Sequence, residues 1–270
     1  MSRFLQSMEQ SSRTRLQSAL ARRPLAVVIE QAMTTQAPRG LGAFGEVFDL
    51  IAEIKPRSPA EGELGTADLV ERAAAYQHGG AGMLSVLTEP DAFGGSLELL
   101  QAVSADAGVP VLRKDFLVDP YQVFEARAAG ADGVLIIARI LSEEAMNSVL
   151  DAVEQTGMFA LIEVFDNADL GRVTTIAEAR TGLLVGVNCR DLETLRTEPT
   201  IHHRLAASLP SRPPAVAESG ILDPADIRRV AAFGYRGALV GSALMRSHDP
   251  AGLAAAMLAT GREEAKVSTL

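Results

Sequence analysis

Glu53 and Lys55 stand two residues apart at the end of an apolar run, residues 48–54, that breaks at Pro56. In a strand the side chains alternate, so Ile51, Glu53 and Lys55 share one face while Leu50, Ala52 and Ile54 share the other. One such pair is often no more than a solvated strand tip. The same pattern recurs along the chain, however: Lys114 ends a run at 109–115, Glu163 a run at 159–165, Asn188 and Arg190 follow 183–188, and Glu218 and Ser219 end 214–219. If these ends meet, lysines, an arginine and glutamates form one polar cup, a mixture suited to acid–base chemistry. Two turns, "ESGI" and "VGS", place Gly220, Gly241 and Ser242 just ahead of helical segments. There, free backbone N–H groups and the helix dipole favour a phosphate, and glycine lets the backbone approach closely. Ser58, in "KPRSP", offers a further hydroxyl from the first loop.

The elements that must position these groups follow a βα rhythm. Short apolar runs at 48–54, 82–88, 109–115, 132–138, 159–165, 183–188, 214–219 and 236–242 alternate with Ala-rich helical patterns. Pro120 suits a first helical turn, and Gly79, Gly80 and Gly130 suit helix ends. Runs that are apolar throughout indicate strands covered on both faces, as in a parallel sheet enclosed by helices. Eight βα units with neither a G-x-G-x-x-G loop nor a P-loop predict a (β/α)8 barrel, over 48–270, preceded by an N-terminal helical extension, 1–47. In a barrel the catalytic groups lie at the C-terminal strand ends, where the charged residues fall. The first 25 residues carry five arginines against the single acid Glu9, a balance seen in transit peptides. Yet Met8, Leu16 and Leu20 recur at helical spacing and a second apolar run follows Pro24, so two short helices leading into the barrel are expected.

Composition limits the remaining options. A chain of 270 residues, 47% hydrophobic, supports one large core. No apolar run reaches the roughly 18 residues of a membrane span, so a soluble protein is expected. The net charge of -9 and the absence of tryptophan argue against nucleic acid as a partner. Cys189 is the single cysteine, which excludes an intrachain disulfide and fits a reducing, cytoplasmic setting. With no histidine expected beside it, Cys189 reads as structural rather than nucleophilic. His78, His202, His203 and His248 read as surface residues.

The stretches "AEIKPRSP", "SVLTEPDAFGGSLELL", "VLRKDFLVDPYQVFEARAAGAD", "GVNCRDLETL", "ESGI" and "LVGSALMR" resemble, in order and spacing, the motifs of the indole-3-glycerol phosphate synthase family of tryptophan biosynthesis. The resemblance spans about residues 48–260. It implies conversion of 1-(2-carboxyphenylamino)-1-deoxyribulose 5-phosphate to indole-3-glycerol phosphate with loss of CO2 and water, without a metal or organic cofactor. It further implies that Lys114 is the general acid, that Glu53 and Glu163 are the acid/base carboxylates with the base left open between them, and that Lys55 is a catalytic residue that pairs with substrate, with a second role as proton donor left open. Asn188, Arg190, Glu218 and Ser219 would position the substrate, and Ser58, Gly220, Gly241 and Ser242 would hold its phosphate. The expected partner is that small phosphorylated molecule, bound by a monomer or weak homo-oligomer. Departures are Ala60 in place of a second serine, Cys189 in "NCR", and a segment after residue 195 lacking the family's apolar pattern. A phosphoribosylanthranilate isomerase-like barrel is the rival enzyme, but it needs a cysteine where the first strand carries Glu53 and Lys55. A non-catalytic homologue is the other rival, and the intact set Lys114, Glu53 and Glu163 speaks against it.

Overall fold

The computed structural model describes residues 2–65, 68–177 and 179–267. Eight parallel strands close on themselves: β1 (Asp49–Ile54), β2 (Met83–Leu87), β3 (Val111–Lys114), β4 (Gly133–Ile137), β5 (Phe159–Val164), β6 (Leu183–Asn188), β7 (Ala215–Glu218) and β8 (Gly237–Val240). Closure is the pairing of β1 with both β2 and β8, with Ile51 opposite Met83 on one side and Leu239 on the other. Each strand begins or ends within a residue or two of the run read from the sequence, and nearly every strand residue is buried. Apolar side chains fill both the interior and the layer beneath the helices, each contributing about 1.5–3 kcal/mol by leaving water.

The helices start where their sequences provide caps. Asp119 accepts the Tyr121 N–H at 2.9 Å ahead of α5 (Pro120–Ala128), whose first-turn proline has no donor to lose. Asp68 and Ser96 cap α3 (Leu69–His78) and α4 (Leu97–Asp106) in the same way. Ser142 does so for α6 (Glu143–Thr156), and Asp223 for α9 (Pro224–Ala232). The ring is completed by α7 (Asn167–Ala177), a short α8 (Thr200–Ala206), a one-turn α10 (Ser242–Arg246) and the closing α11 (Pro250–Val267).

The N-terminal extension folds as α1 (Arg3–Arg22) and α2 (Leu25–Thr34), broken at Pro24. The expectation of two short helices is corrected for α1, which runs 20 residues. Leu5, Met8, Ser12 and Leu16 repeat every three or four residues and form its buried stripe. This helix is tied to the barrel's rim by polar contacts as well. Arg15 donates to both carboxylate oxygens of Asp115, at 3.0 and 2.8 Å, and Gln122 Nε2 donates to Ser12 Oγ at 2.9 Å. Helix α2 packs on α5. Among the described residues no helix is long and apolar enough to cross a membrane.

The loop after β1 carries a small antiparallel hairpin, Arg57–Ser58 against Gly62–Glu63. Arg57 fastens it to the neighbouring β2 loop through its backbone N–H to the Phe93 carbonyl and its guanidinium to the Pro90 carbonyl. One histidine departs from expectation. His202 is buried, with Nε2 against the carbonyls of Val187 and Glu218 at 3.2 and 3.1 Å and its ring edge-on to Tyr235. Burial holds its imidazole below the ordinary range. The other three histidines are exposed.

Candidate active site

All the strand-end and turn residues singled out above line one cavity of about 740 Å³ at the C-terminal mouth of the barrel. It gathers Glu53, Lys55, Ser58, Lys114, Glu163, Asn188, Arg190, Glu218, Ser219, Gly220, Gly241 and Ser242. Parallel strands bring this about, because every C-terminus faces the same way and a shared register sets the last residues level; Asn188 lies opposite Glu218.

The charges are arranged in pairs. Lys55 Nζ sits 2.9 Å from Glu53 Oε1, both side chains nearly out of solvent. Burial disfavours the Glu53 anion, yet Lys55, Lys114 and Arg190 together hold its carboxyl below the usual carboxylate range. Lys114 Nζ lies 3.5 Å from Glu163 Oε2 and 3.9 Å from Glu218 Oε2. Burial alone would lower its affinity for a proton, but Glu163, Glu218 and Glu53 outweigh it and hold Lys114 above the ordinary lysine value. It is therefore an ammonium at neutral pH.

Glu218 is the opposite case. Among the described residues neither of its buried carboxyl oxygens has a hydrogen-bond partner. Burial first, and the Glu163 charge second, push its carboxyl well above the usual range, against the pull of Lys114. A carboxyl raised in this way holds its proton more tightly than an ordinary carboxylate.

Two glycines make this crowding possible. A Cβ on Gly186 would collide with Glu218 Oε1, and one on Gly241 would collide with Glu53 Oε1. Gly186 stands opposite Glu163 in the β5–β6 register, so its missing side chain is the gap into which Glu218 reaches.

Toward β7 and β8 the wall becomes a turn with unusual backbone. Ser219 and Gly220 both lie in the left-handed region, at φ 67°, which glycine adopts freely and serine does not. Cys189 Sγ donates to the Ser219 carbonyl at 3.3 Å. Its burial pushes the thiol up to about 11, so it is a structural group at neutral pH. Asn188 and Arg190 line the cavity but are partly engaged: Asn188 Oδ1 accepts the Arg190 N–H at 2.9 Å, and the Arg190 guanidinium donates to the Leu195 carbonyl at 2.7 Å.

Several cavity residues were not singled out in advance. Phe4 of α1, Phe93 and Phe116 form an aromatic group, with Phe116 centred 6.2 Å from each of the others. Leu135, Ile137 and Leu192 extend this apolar side. Phe93 is held because Glu89, fully buried, accepts the N–H groups of Asp91, Ala92 and Phe93. Phe93 and Phe116 sat inside the motifs "DAFGG" and "KDF", whereas nothing near Phe4 in the sequence distinguished it. Glu61 was also passed over, though its carboxylate meets Ser58, Ser242 and Arg246.

Buried lysine–glutamate pairs, a carboxyl whose hold on a proton is raised by burial and a Gly/Ser turn at the C-terminal mouth fit a (β/α)8-barrel enzyme working by acid–base chemistry. The family model described as indole-3-glycerol phosphate synthase matches residues 5–257. A relative of that name from Mycobacterium leprae is 43% identical over 236 residues, covering 86% of this chain and 85% of its own. One from Nocardioides sp. is 46% identical over 204 residues, covering 75% and 77%. The chain belongs to the indole-3-glycerol phosphate synthase family. Among solved structures it is similar in fold to 3-hexulose-6-phosphate synthase from Salmonella typhimurium, with TM-score 0.65, 17% identity and coverage of 80% of this chain and all of the other. Tryptophan synthase from Mycobacterium tuberculosis follows at TM-score 0.59 and 19% identity, with coverage of 84% and 99%.

Proposed function

We propose that this cavity carries out the family's ring closure with Lys114 as the general acid. The enzyme is an indole-3-glycerol phosphate synthase, a decarboxylating ring-closing lyase of tryptophan biosynthesis. Its substrate, 1-(2-carboxyphenylamino)-1-deoxyribulose 5-phosphate, has an aromatic ring with a carboxylate at one end and a phosphate at the other. Among the cavity's lining residues, Phe4, Phe93 and Phe116 with Leu192 suit the ring, and Ser58, Gly220, Gly241 and Ser242 suit the phosphate.

The observation that carries the assignment is the Lys114 ammonium, held in the cavity wall between Glu163 and Glu218. As the aromatic carbon bearing the carboxylate attacks the C2' carbonyl, negative charge grows on that oxygen. An ammonium against it lowers the barrier and delivers the proton. Loss of CO2 restores the aromatic ring. Dehydration then removes the C2' hydroxyl as water, for which an acid protonates the departing oxygen and a base takes a proton from C1', so that the C1'–C2' double bond forms and the ring nitrogen keeps its hydrogen. We assign the base to Glu163, which adjoins Lys114, and leave Glu53 as the anion that orients Lys55 toward the substrate carboxylate. Glu218, whose burial raises its hold on a proton, hydrogen-bonds a substrate hydroxyl, and Asn188, Arg190 and Ser219 shape the wall around it. A cytoplasmic setting and a monomeric or weakly associating chain belong to the same proposal, supported by the single buried thiol.

Lys114→Met keeps much of the side-chain volume while removing cation and proton. kcat is expected to fall by about 10²–10⁴-fold, with little change in KM, measured by indole fluorescence in single-turnover mode so that chemistry is observed. A kcat within a few fold of the parent enzyme transfers the acid role to Lys55.

A further inference from the structure

The two serines assigned to the phosphate already hold an anion from the chain itself. Glu61, at the tip of the hairpin after β1, accepts the Ser242 hydroxyl on Oε2, and Ser58 Oγ donates to the same oxygen at 3.4 Å. Its other oxygen, Oε1, lies 3.1 Å from Arg246 Nη1. A carboxylate thus stands on two hydroxyls and a guanidinium, a donor set that suits a phosphate monoester equally well. Both anions cannot occupy it, because a hydroxyl has one proton to give and like charges at such range repel.

We infer that Glu61 is an internal competitor at this site: a built-in carboxylate that occupies the phosphate subsite and must be displaced from Ser58 and Ser242 before a phosphate ester binds. The inference rests on the reading of those serines as phosphate ligands. Displacement needs a competitor with more charge and more acceptor oxygens than a carboxylate. A phosphate dianion has both, while a hydroxyl-terminated sugar has neither. The displacement counts against phosphate binding, so Glu61 weakens the subsite's hold on phosphate and sets the strength at which the ester binds. The hairpin that carries Glu61 moves with it, and Arg246, released from its partner, is left beside the arriving anion. Arg246 is half exposed and sits in α10 with Ser242, so it needs no rearrangement of the barrel to serve the phosphate.

The test is calorimetric titration of the full chain with inorganic phosphate, alongside KM for the substrate. Glu61→Ala and Glu61→Gln both remove the charge, and the glutamine keeps the volume. Each is expected to tighten phosphate binding by about tenfold, the factor equivalent to roughly 1.4 kcal/mol, and to lower KM in parallel. Adding Ser242→Ala should erase that gain. Unchanged or weaker phosphate binding in both Glu61 variants, with Ser242→Ala alone still weakening it, overturns the inference and leaves the phosphate site standing. If Ser242→Ala alone has no effect on phosphate binding, the phosphate assignment itself fails and the inference falls with it.

Discussion

Replacing Arg15 by methionine cuts the link between the N-terminal helix and the strand that carries Lys114. Arg15 makes a two-pronged ion pair with Asp115, the residue after Lys114, through hydrogen bonds of 3.0 and 2.8 Å. Asp115 is fully buried and also accepts from Thr88 at 2.7 Å, Arg113 at 3.1 Å and the Phe116 N–H at 2.8 Å. Burial works against its charge, but Arg113 and Arg15 hold the Asp115 carboxyl far below the ordinary carboxylate range. Two hydrogen bonds to a charged group are worth about 3–6 kcal/mol together before any discount. Arg15 keeps 25% of its side chain in solvent, which screens the pair, and Asp115 retains its other partners. The net loss is therefore about 2–3 kcal/mol, which for a domain of this size lowers Tm by about 4–10 °C. A double-mutant cycle with Asp115→Asn isolates the pair and should give a coupling of about 2 kcal/mol. Because α1 also carries Phe4, KM should rise a few fold as the helix loosens. The sign with pH follows from the depressed carboxyl: its stabilisation is complete above the unfolded value of about 4 and is lost as pH falls toward the folded value. A Tm change under 1 °C at pH 7, or a coupling indistinguishable from zero, refutes the argument that this pair anchors α1.

Gly186→Ala should lower Tm by an amount matching about 1–3 kcal/mol of overpacking and reduce kcat, since the new methyl collides with Glu218 Oε1. Combining it with Glu218→Ala should recover the lost Tm, and failure of that rescue places the strain elsewhere. Glu218→Gln should abolish most activity yet gain stability relative to the parent as pH rises. The raised Glu218 carboxyl makes the parent lose stability from about pH 4.3 upward to its folded value, whereas glutamine has no charge to bury. Thermal melts should show the Tm difference, variant minus parent, widening as pH rises above about 4.3; a constant difference contradicts the raised Glu218 carboxyl.

Local pattern was enough to reach the barrel and the polar strand ends that line its mouth. Period and punctuation are properties of neighbouring residues: apolar runs as in 159–165 mark strands buried on both faces, and Asp119 with Pro120 marks a helix start. Strand direction then places Glu53, Lys114, Glu163 and Glu218 at one end, because parallel strands joined by helices all point the same way. What the chain order does not reveal is which side chains meet once the barrel closes. Ser242 and Glu61 are 181 residues apart and Arg15 and Asp115 are 100 apart, and their contacts depend on the path of the hairpin and the lie of α1. Phe4 reaches the cavity for the same reason. His202, expected at the surface, lies on the buried side of α8, where its ring finds two carbonyls at the ends of β6 and β7. The role of Gly186 is likewise tertiary: a glycine in a strand looks like a weak point until the sheet's register sets Glu163 across from it and Glu218 fills the gap. Short-range alternation specifies elements and facing, while pairing across the closed sheet, and with it the charge state of Glu218 and Lys114, is decided only by the low-dielectric geometry that closure creates.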